Sequence, residues 1–389
     1  MKCTLIGPTY PYRGGISHYV TLLCEHLRHK HDVQFLSFKS QYPSFLFPGK
    51  TDKDPSSQPL RTDCDYLIAP LAPWTWLKTF WTVRSRQPDL VILQWWVPYW
   101  APTFASIAYL VRRFTSIKIL FICHNVVPHE EKKFDRLLAK LTLGQGHCFI
   151  VHSEKDLRDL RMLLPQANIQ RVALPGNTAL TRGRVAKVEA KAKLGLECNV
   201  ILFFGFVRQY KGVVYLLQAM PKVLRRVDVH LLIVGEFWDN IAPYTELIRE
   251  LGIHHAVTVV DRYVPNEELS LYFSAADVVV LPYVDATQSA VVPLAYAFER
   301  PVITTSVGGL PDVVFDGETG ILVPPGDSEA LARAIVRFFL SESDREWTDA
   351  IVRYQHKFSW ERLVEAVESF IQPVRDIQES HECATFQAN

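Results

Sequence analysis

The sequence predicts an α/β protein of two doubly wound parallel-sheet domains, and three observations carry that prediction. Short, continuously apolar, β-branched runs alternate with stretches of helical periodicity along almost the whole chain. The alternation lapses once, in the polar stretch "GNTALTRGRVAKVEAKAKLGLE" (176–197), and then begins again. At 389 residues and 48% hydrophobic content, the chain is long and apolar enough to bury two cores.

The elements follow in order. "MKCTLIG" has no charged stretch leading into a long apolar one, so it reads as a first strand and not as a secretion signal. Ile16, Tyr19, Val20, Leu23 and Leu27 then fall on one face of a helix, completing a βα unit. Further strands are expected at 32–38, 90–96, 117–123 and 148–153. The segment from Leu90 to Val111 carries no charge and is about as long as a membrane span. Pro98 and Pro102 interrupt it, so it reads as a strand, an aromatic loop and a helix from about Thr103. The second half offers strands at 199–205, 229–235, 256–260, 277–283 and 301–306. After "SEALARAIVRFFL", two more helices run to about Gln372, the last one from "FSWERL". The expected division is a first domain at 1–178, a second at 179–355, a closing helix at 356–372 and a loose tail at 373–389.

Charge and cysteine usage exclude several classes. Forty-two Lys and Arg against forty-one Asp and Glu leave a net charge of +1, which argues against a nucleic-acid-binding basic face and makes any anion site local. The seven cysteines are odd in number and never spaced C-x-x-C, which argues against a disulfide framework or a metal site and fits a reducing cytoplasm.

In open parallel sheets, ligands bind beyond the carboxyl ends of the strands, so the loops there are informative. After the first strand, Gly14 and Gly15 open a helix whose bare amides can face an anion, or simply cap it. His124 and Asn125 end the strand at 117–123. Arg208 and Lys211 follow the strand at 199–205, with Gly212 opening the next helix; solvated loop charges are the alternative. Glu236, then Arg262 and Tyr263, follow the next two strands. Thr287, Gln288 and Ser289 stand near a helix start, and Gly308 and Gly309 close the series.

These stretches, in order "GPTYPYRGGISHY", "GFVRQYKG", "IVGEFWDN", "LYFSAADVVVLPY", "RPVITTSVGGLPDVVFDGETGILVPPGD" and "FSWERL", resemble the retaining nucleotide-sugar glycosyltransferases of the family-4 (group 1) type over nearly the whole chain. The resemblance implies the GT-B fold, two Rossmann-like domains facing a central cleft. It implies that the second domain binds a nucleotide diphosphate sugar, the first binds the acceptor, and a final helix crosses back. Arg208 and Lys211 then face the donor diphosphate, Gly14 and Gly15 approach it across the cleft, and His124 stands beside the donor sugar. Glu236, Arg262, Tyr263, Asp285, Gln288 and Ser289 are the other donor-side candidates; Arg13, His18, Trp95 and Trp96 are the acceptor-side ones. No metal or cofactor is implied beyond the nucleotide sugar as co-substrate, so the D-x-D string at Asp63–Asp65 is discounted.

The chain departs from that family's pattern at three places. Two glutamates eight residues apart are usual before "PVITT", and those positions hold Ala286 and Leu294; Asp285 is the nearest stand-in. Phe206 replaces a usual arginine. These departures keep two other readings open, an inactive homologue acting as a binding partner and another nucleotide-sugar enzyme such as an epimerase. Finally, Tyr42, Phe45, Phe47, Trp74, Trp76, Phe80 and Trp81 lie in stretches that also contain Lys50, Lys78, Arg84 and Arg86. Rings beside cations suit an anionic membrane surface, so peripheral contact with the inner face of the cytoplasmic membrane and a lipid-linked or glycan acceptor are expected. Trp74 and Trp76 would share one face if they lie in a strand and would diverge if they lie in a helix.

Overall fold

A computed structural model describes residues 1–42, 49–128, 133–181, 183–341 and 344–371. The first half forms β1 (Lys2–Ile6), β2 (Asp32–Phe38), β3 (Asp65–Ile68), β4 (Leu90–Trp95), β5 (Lys118–Cys123), β6 (Cys148–Val151) and β7 (Ile169–Arg171). The second forms β8 (Asn199–Phe204), β9 (Val229–Val234), β10 (Val257–Val260), β11 (Val278–Leu281), β12 (Val302–Thr305) and β13 (Gly320–Val323). One sheet has the order β3-β2-β1-β4-β5-β6-β7 and the other β10-β9-β8-β11-β12-β13, with every pair parallel. The two halves therefore share one doubly wound topology.

Parallel neighbours need crossovers, and helices supply them. In the first half these are α1 (Gly15–Arg28), α2 (Pro73–Arg86), α3 (Ala101–Phe114), α4 (Asp135–Leu143) and α5 (Glu154–Leu163). The second half adds α6 (Lys187–Lys193), α7 (Val213–Leu224), α8 (Ala242–Glu250), α9 (Asn266–Ala275), α10 (Val291–Ala297), α11 (Ser328–Leu340), α12 (Asp344–Tyr354) and α13 (Trp360–Ser369).

The strand β4 shows why the runs are apolar throughout. Val91, Leu93 and Trp95 pack beneath the helices α2, α3 and α4, while Leu90 and Ile92 point to the opposite face, under α1 and α13. Both sides are covered, so no polar alternation appears. The uncharged stretch from Leu90 is thus a buried strand followed by a helix, and no described helix is long and apolar enough to cross a membrane. The closing helix α13 returns to the first sheet: Leu363, Val364 and Val367 join its core, and Trp360 donates to Gly176 O at 2.9 Å and stacks on His26.

Trp74 and Trp76 lie in the helix α2, so they diverge: Trp74 is exposed, while Trp76 turns inward and donates to Ala69 O at 2.9 Å. Asp65 opens β3, and among the described residues no group of His, Cys, Asp and Glu could hold a metal ion. Phe45, Phe47 and the expected tail at 373–389 lie outside the described residues.

Candidate functional site

In each sheet the strand order reverses once, between β1 and β4 and between β8 and β11, and loops leaving in opposite directions open a crevice there. The loop after β1 carries Arg13 and Gly14, the loop after β8 carries Arg208 and Lys211, and the loop after β11 carries Asp285 to Ser289. Gly15 begins α1, which has no acidic residue in its first turn. A Cβ on Gly15 would meet only Ala290, at 3.7 Å, and one on Gly205 would meet only Val291, at 3.8 Å. The amino end of α1 and the exit of β8 therefore flank the same point, the start of α10.

The cation loop is fastened to the exit of β11. Gly212 has φ 65°, and a Cβ there would fall 2.0 Å from Pro282 O, so only glycine permits the approach. Val284 N donates to Tyr210 O at 2.8 Å along the same seam. Lys211 Nζ lies 3.7 Å from the centre of the Tyr283 ring, and the Arg208 guanidinium lies 5.7 Å from Tyr210 and 5.8 Å from Trp238. Burial lowers the pKa of the Lys211 ammonium, with Tyr210 pulling against that shift and the charge of Arg208 adding to it. Both cations border the Tyr210 ring, Lys211 at 5.3 Å, and their charge in a partly dry site favours an anion beside them.

The loop from 285 to 289 joins the two halves. Gln288 Nε2 donates to His124 O at 2.8 Å, and Thr287 Oγ1 hydrogen-bonds Asn125 Oδ1. Gln288 Oε1 is buried with no protein partner, while Ser289 Oγ accepts from Val291 N at 3.3 Å and pairs with the Tyr283 hydroxyl. Asp285 is half-buried; Ala286 and Leu294 lie in the apolar core. His124 is buried, with Nε2 2.9 Å from Gln94 Oε1 and its ring at the edge of Tyr19. Burial, and after it the neighbouring His152, push the His124 pKa well below the usual imidazole value. The ring is therefore neutral: Nε2–H donates to Gln94, and Nδ1 is left as an acceptor.

Other expected residues are engaged elsewhere. Glu236 Oε2 lies 2.5 Å from Arg13 Nη1 with both side chains about 2% exposed, and Oε1 accepts from Lys50 N at 2.8 Å. Its carboxylate is thus taken by the first half and does not face the cleft as an open donor ligand. Arg13 itself crosses over, 4.9 Å from the Tyr263 ring and 5.6 Å from Phe206, so a guanidinium from the first half covers the ring that replaces the usual arginine. Tyr263 is bonded by the backbone of Gly14, and burial foremost raises its pKa. Arg262 turns outward to both carboxylate oxygens of Glu268. His18 Nε2 lies 3.4 Å from Asp54 Oδ2. Trp95 is a correction: it is fully buried and donates to Val126 O at 3.2 Å, out of reach of any acceptor. Trp96 is nearly so, bonded to the Tyr42 hydroxyl at 3.1 Å.

Sequence reasoning missed a strap from 50 to 57. Ser56 Oγ accepts from Asn266 N at 2.9 Å, Glu267 Oε1 accepts from Ser57 N at 2.9 Å and Ser57 Oγ at 2.7 Å, and Lys50 Nζ lies 3.7 Å from Asp261. The stretch "KTDKDPSS" has no apolar period, so nothing in it signals that it binds the other half.

Comparison with known proteins agrees with this architecture. Residues 13–173 match the family described as Glycosyltransferase Family 4, and residues 198–340 match Glycosyl transferases group 1. The D-inositol 3-phosphate glycosyltransferase of Corynebacterium diphtheriae is 28% identical over 301 residues, 70% of this chain and 68% of that protein. Sucrose-phosphate synthase from Thermosynechococcus elongatus superposes with a TM-score of 0.72 at 22% identity, over 95% of this chain and 97% of that one. Anabaena HepE, solved with UDP and glucose, superposes with a TM-score of 0.73 at 16% identity, over 95% and 99% of the two chains. With both halves matched in order and the GT-B architecture on both sheets, the chain belongs to the group 1, family 4 glycosyltransferases.

Proposed function

We propose that this glycosyltransferase moves a sugar from a nucleotide diphosphate donor to a hydroxyl of a glycan or glycolipid acceptor, with retention of configuration and without a metal ion. The observation that carries the reading is the pair Arg208 and Lys211 at the exit of β8, beside the crevice that the amino end of α1 also borders. As the anomeric C–O bond breaks, negative charge gathers on the diphosphate and the sugar becomes oxocarbenium-like, so fixed cations at the phosphates lower the barrier. They perform the neutralisation that a divalent ion performs elsewhere. An arriving diphosphate favours the charged form of Lys211 against the burial that disfavours it. Neutral His124 offers Nδ1 to a donor-sugar hydroxyl, and Gln288 Oε1 is a second acceptor on the same seam. Ala286 and Leu294 supply no carboxylate, so the acceptor's proton passes to the departing phosphate oxygen, and attack from that side retains configuration. Of the acceptor-side candidates of the first half, His18 remains, half-buried beside Asp54, whereas Arg13 is taken by Glu236 and Trp96 by Tyr42. The UDP and glucose bound to HepE, and the sugar transfer named for the C. diphtheriae relative, support a nucleotide-sugar donor.

The missing glutamates also favour a second reading, a non-catalytic homologue. Incubation with UDP-, GDP- and ADP-linked sugars in excess chelator separates the two. Transfer chemistry predicts slow release of nucleoside diphosphate to water, faster with an acceptor; binding without release supports the non-catalytic reading, and activity lost in chelator but restored by manganese overturns metal independence.

A further inference from the structure

The outer face of the first sheet's helical layer is unusual for a soluble surface. Three of its helices, α2, α3 and α4, pack side by side over the core formed by Val91, Leu93 and Phe121, and each turns large apolar side chains outward. Trp74, Leu77 and Trp81 lie along α2 at spacings that place them in one stripe, with Trp74 at 70% exposure. Phe114 stands at the end of α3 and Leu137 and Leu141 along α4, all exposed. Large apolar side chains exposed together on one helical layer mark an interaction site.

Its charge identifies the occupant. Lys78, Arg84, Arg113, Arg136 and Lys140 are exposed on the three helices, whose one acidic residue is Asp135, while Arg86 is paired with Asp32 and Arg112 donates to Gly144 O; the whole chain has a net charge of only +1. Arg84 lies 5.2 Å from the Trp81 ring and Arg113 5.5 Å from Phe114, so a cation borders each of these two exposed rings. Apolar rings that enter the headgroup region, bordered by cations that meet anionic headgroups, match the chemistry of a negatively charged bilayer. A protein partner of this shape would need an equally large acidic and apolar face, whereas a bilayer supplies both over any area.

We propose that this face docks on an anionic lipid bilayer. The amino end of α2 follows the carboxyl end of β3, so Trp74 lies toward the cleft end of the first sheet, and docking there brings the cleft close to a lipid-linked acceptor. The docking does not depend on the transfer chemistry.

Flotation with vesicles of phosphatidylcholine and phosphatidylglycerol tests it, beside vesicles of phosphatidylcholine alone. The full chain should float with the anionic vesicles at low salt and lose most of that binding at high salt. Trp74→Ser with Trp81→Ser, and separately Lys78→Glu with Arg113→Glu, should each weaken binding by about tenfold or more. Both should keep the parent's thermal midpoint, since these side chains are exposed. A parent that stays with the soluble fraction at low salt overturns the proposal. So does a concentration-dependent dimer abolished by the tryptophan changes, which would show that a second copy covers the face.

Discussion

His124 and His152 lie with ring centres 5.6 Å apart, both against Tyr19. His152 Nδ1 donates to Val172 O at 2.9 Å, and burial, against that bond, lowers its pKa to about 4. Because the folded value lies below the unfolded one, the unfolded chain takes up the proton first as pH falls. The stability due to a neutral His152 is thus present above the unfolded imidazole pKa and is lost between about pH 6.5 and 4. Asp156 opposes it: burial foremost raises its carboxyl to about 6, so the cost of its ionisation disappears over part of the same range. His152→Gln removes one of the two, and on going from pH 7.5 to pH 5 it should lose about 2 kcal/mol less stability than the parent in denaturant titrations. Equal losses would show that His152 titrates normally. At this scale the sequence reveals that His124, Arg208 and Lys211 stand at strand exits, because polar residues directly after a buried run stand out. It does not reveal that Glu236 is paired, since that depends on which segment of the first half crosses the cleft.

Among the elements, the central strands are legible because burial on both faces leaves an unbroken apolar run. The strands β3, β7 and β13 are not: all three are sheet edges of three or four residues, and the first two are partly exposed. The helix α2 misleads for a related reason, since its outward tryptophans and leucine blur the apolar period that marks a surface helix. Glycines at loop exits separate two kinds of constraint. Gly252 has φ 66° with nothing within 4 Å of an added Cβ, so Gly252→Ala should cost about 1 kcal/mol of backbone strain alone. Gly212→Ala adds the collision with Pro282 O and should cost several times more, about 3 kcal/mol or above, as well as displacing the cation loop. Denaturant midpoints compare them directly; equal costs would mean that the seam between the β8 and β11 exits is loose.

At the scale of the whole molecule, two copies of one topology turn their switch points toward a shared cleft, bridged by Arg13–Glu236, Thr287–Asn125 and Gln288–His124. Fold class and the existence of two halves follow from alternation and length, whereas the bridges between the halves arise only from their packing. In the proposed function the exit of β8 holds the donor diphosphate through Arg208 and Lys211. Calorimetric titration of UDP and GDP into the parent and into Lys211→Ala, in excess chelator, tests it most directly. At least one nucleotide should bind the parent, and the variant should bind it about 1–3 kcal/mol more weakly, the loss of a charge-assisted hydrogen bond. A variant that binds that nucleotide as tightly as the parent would contradict the claim.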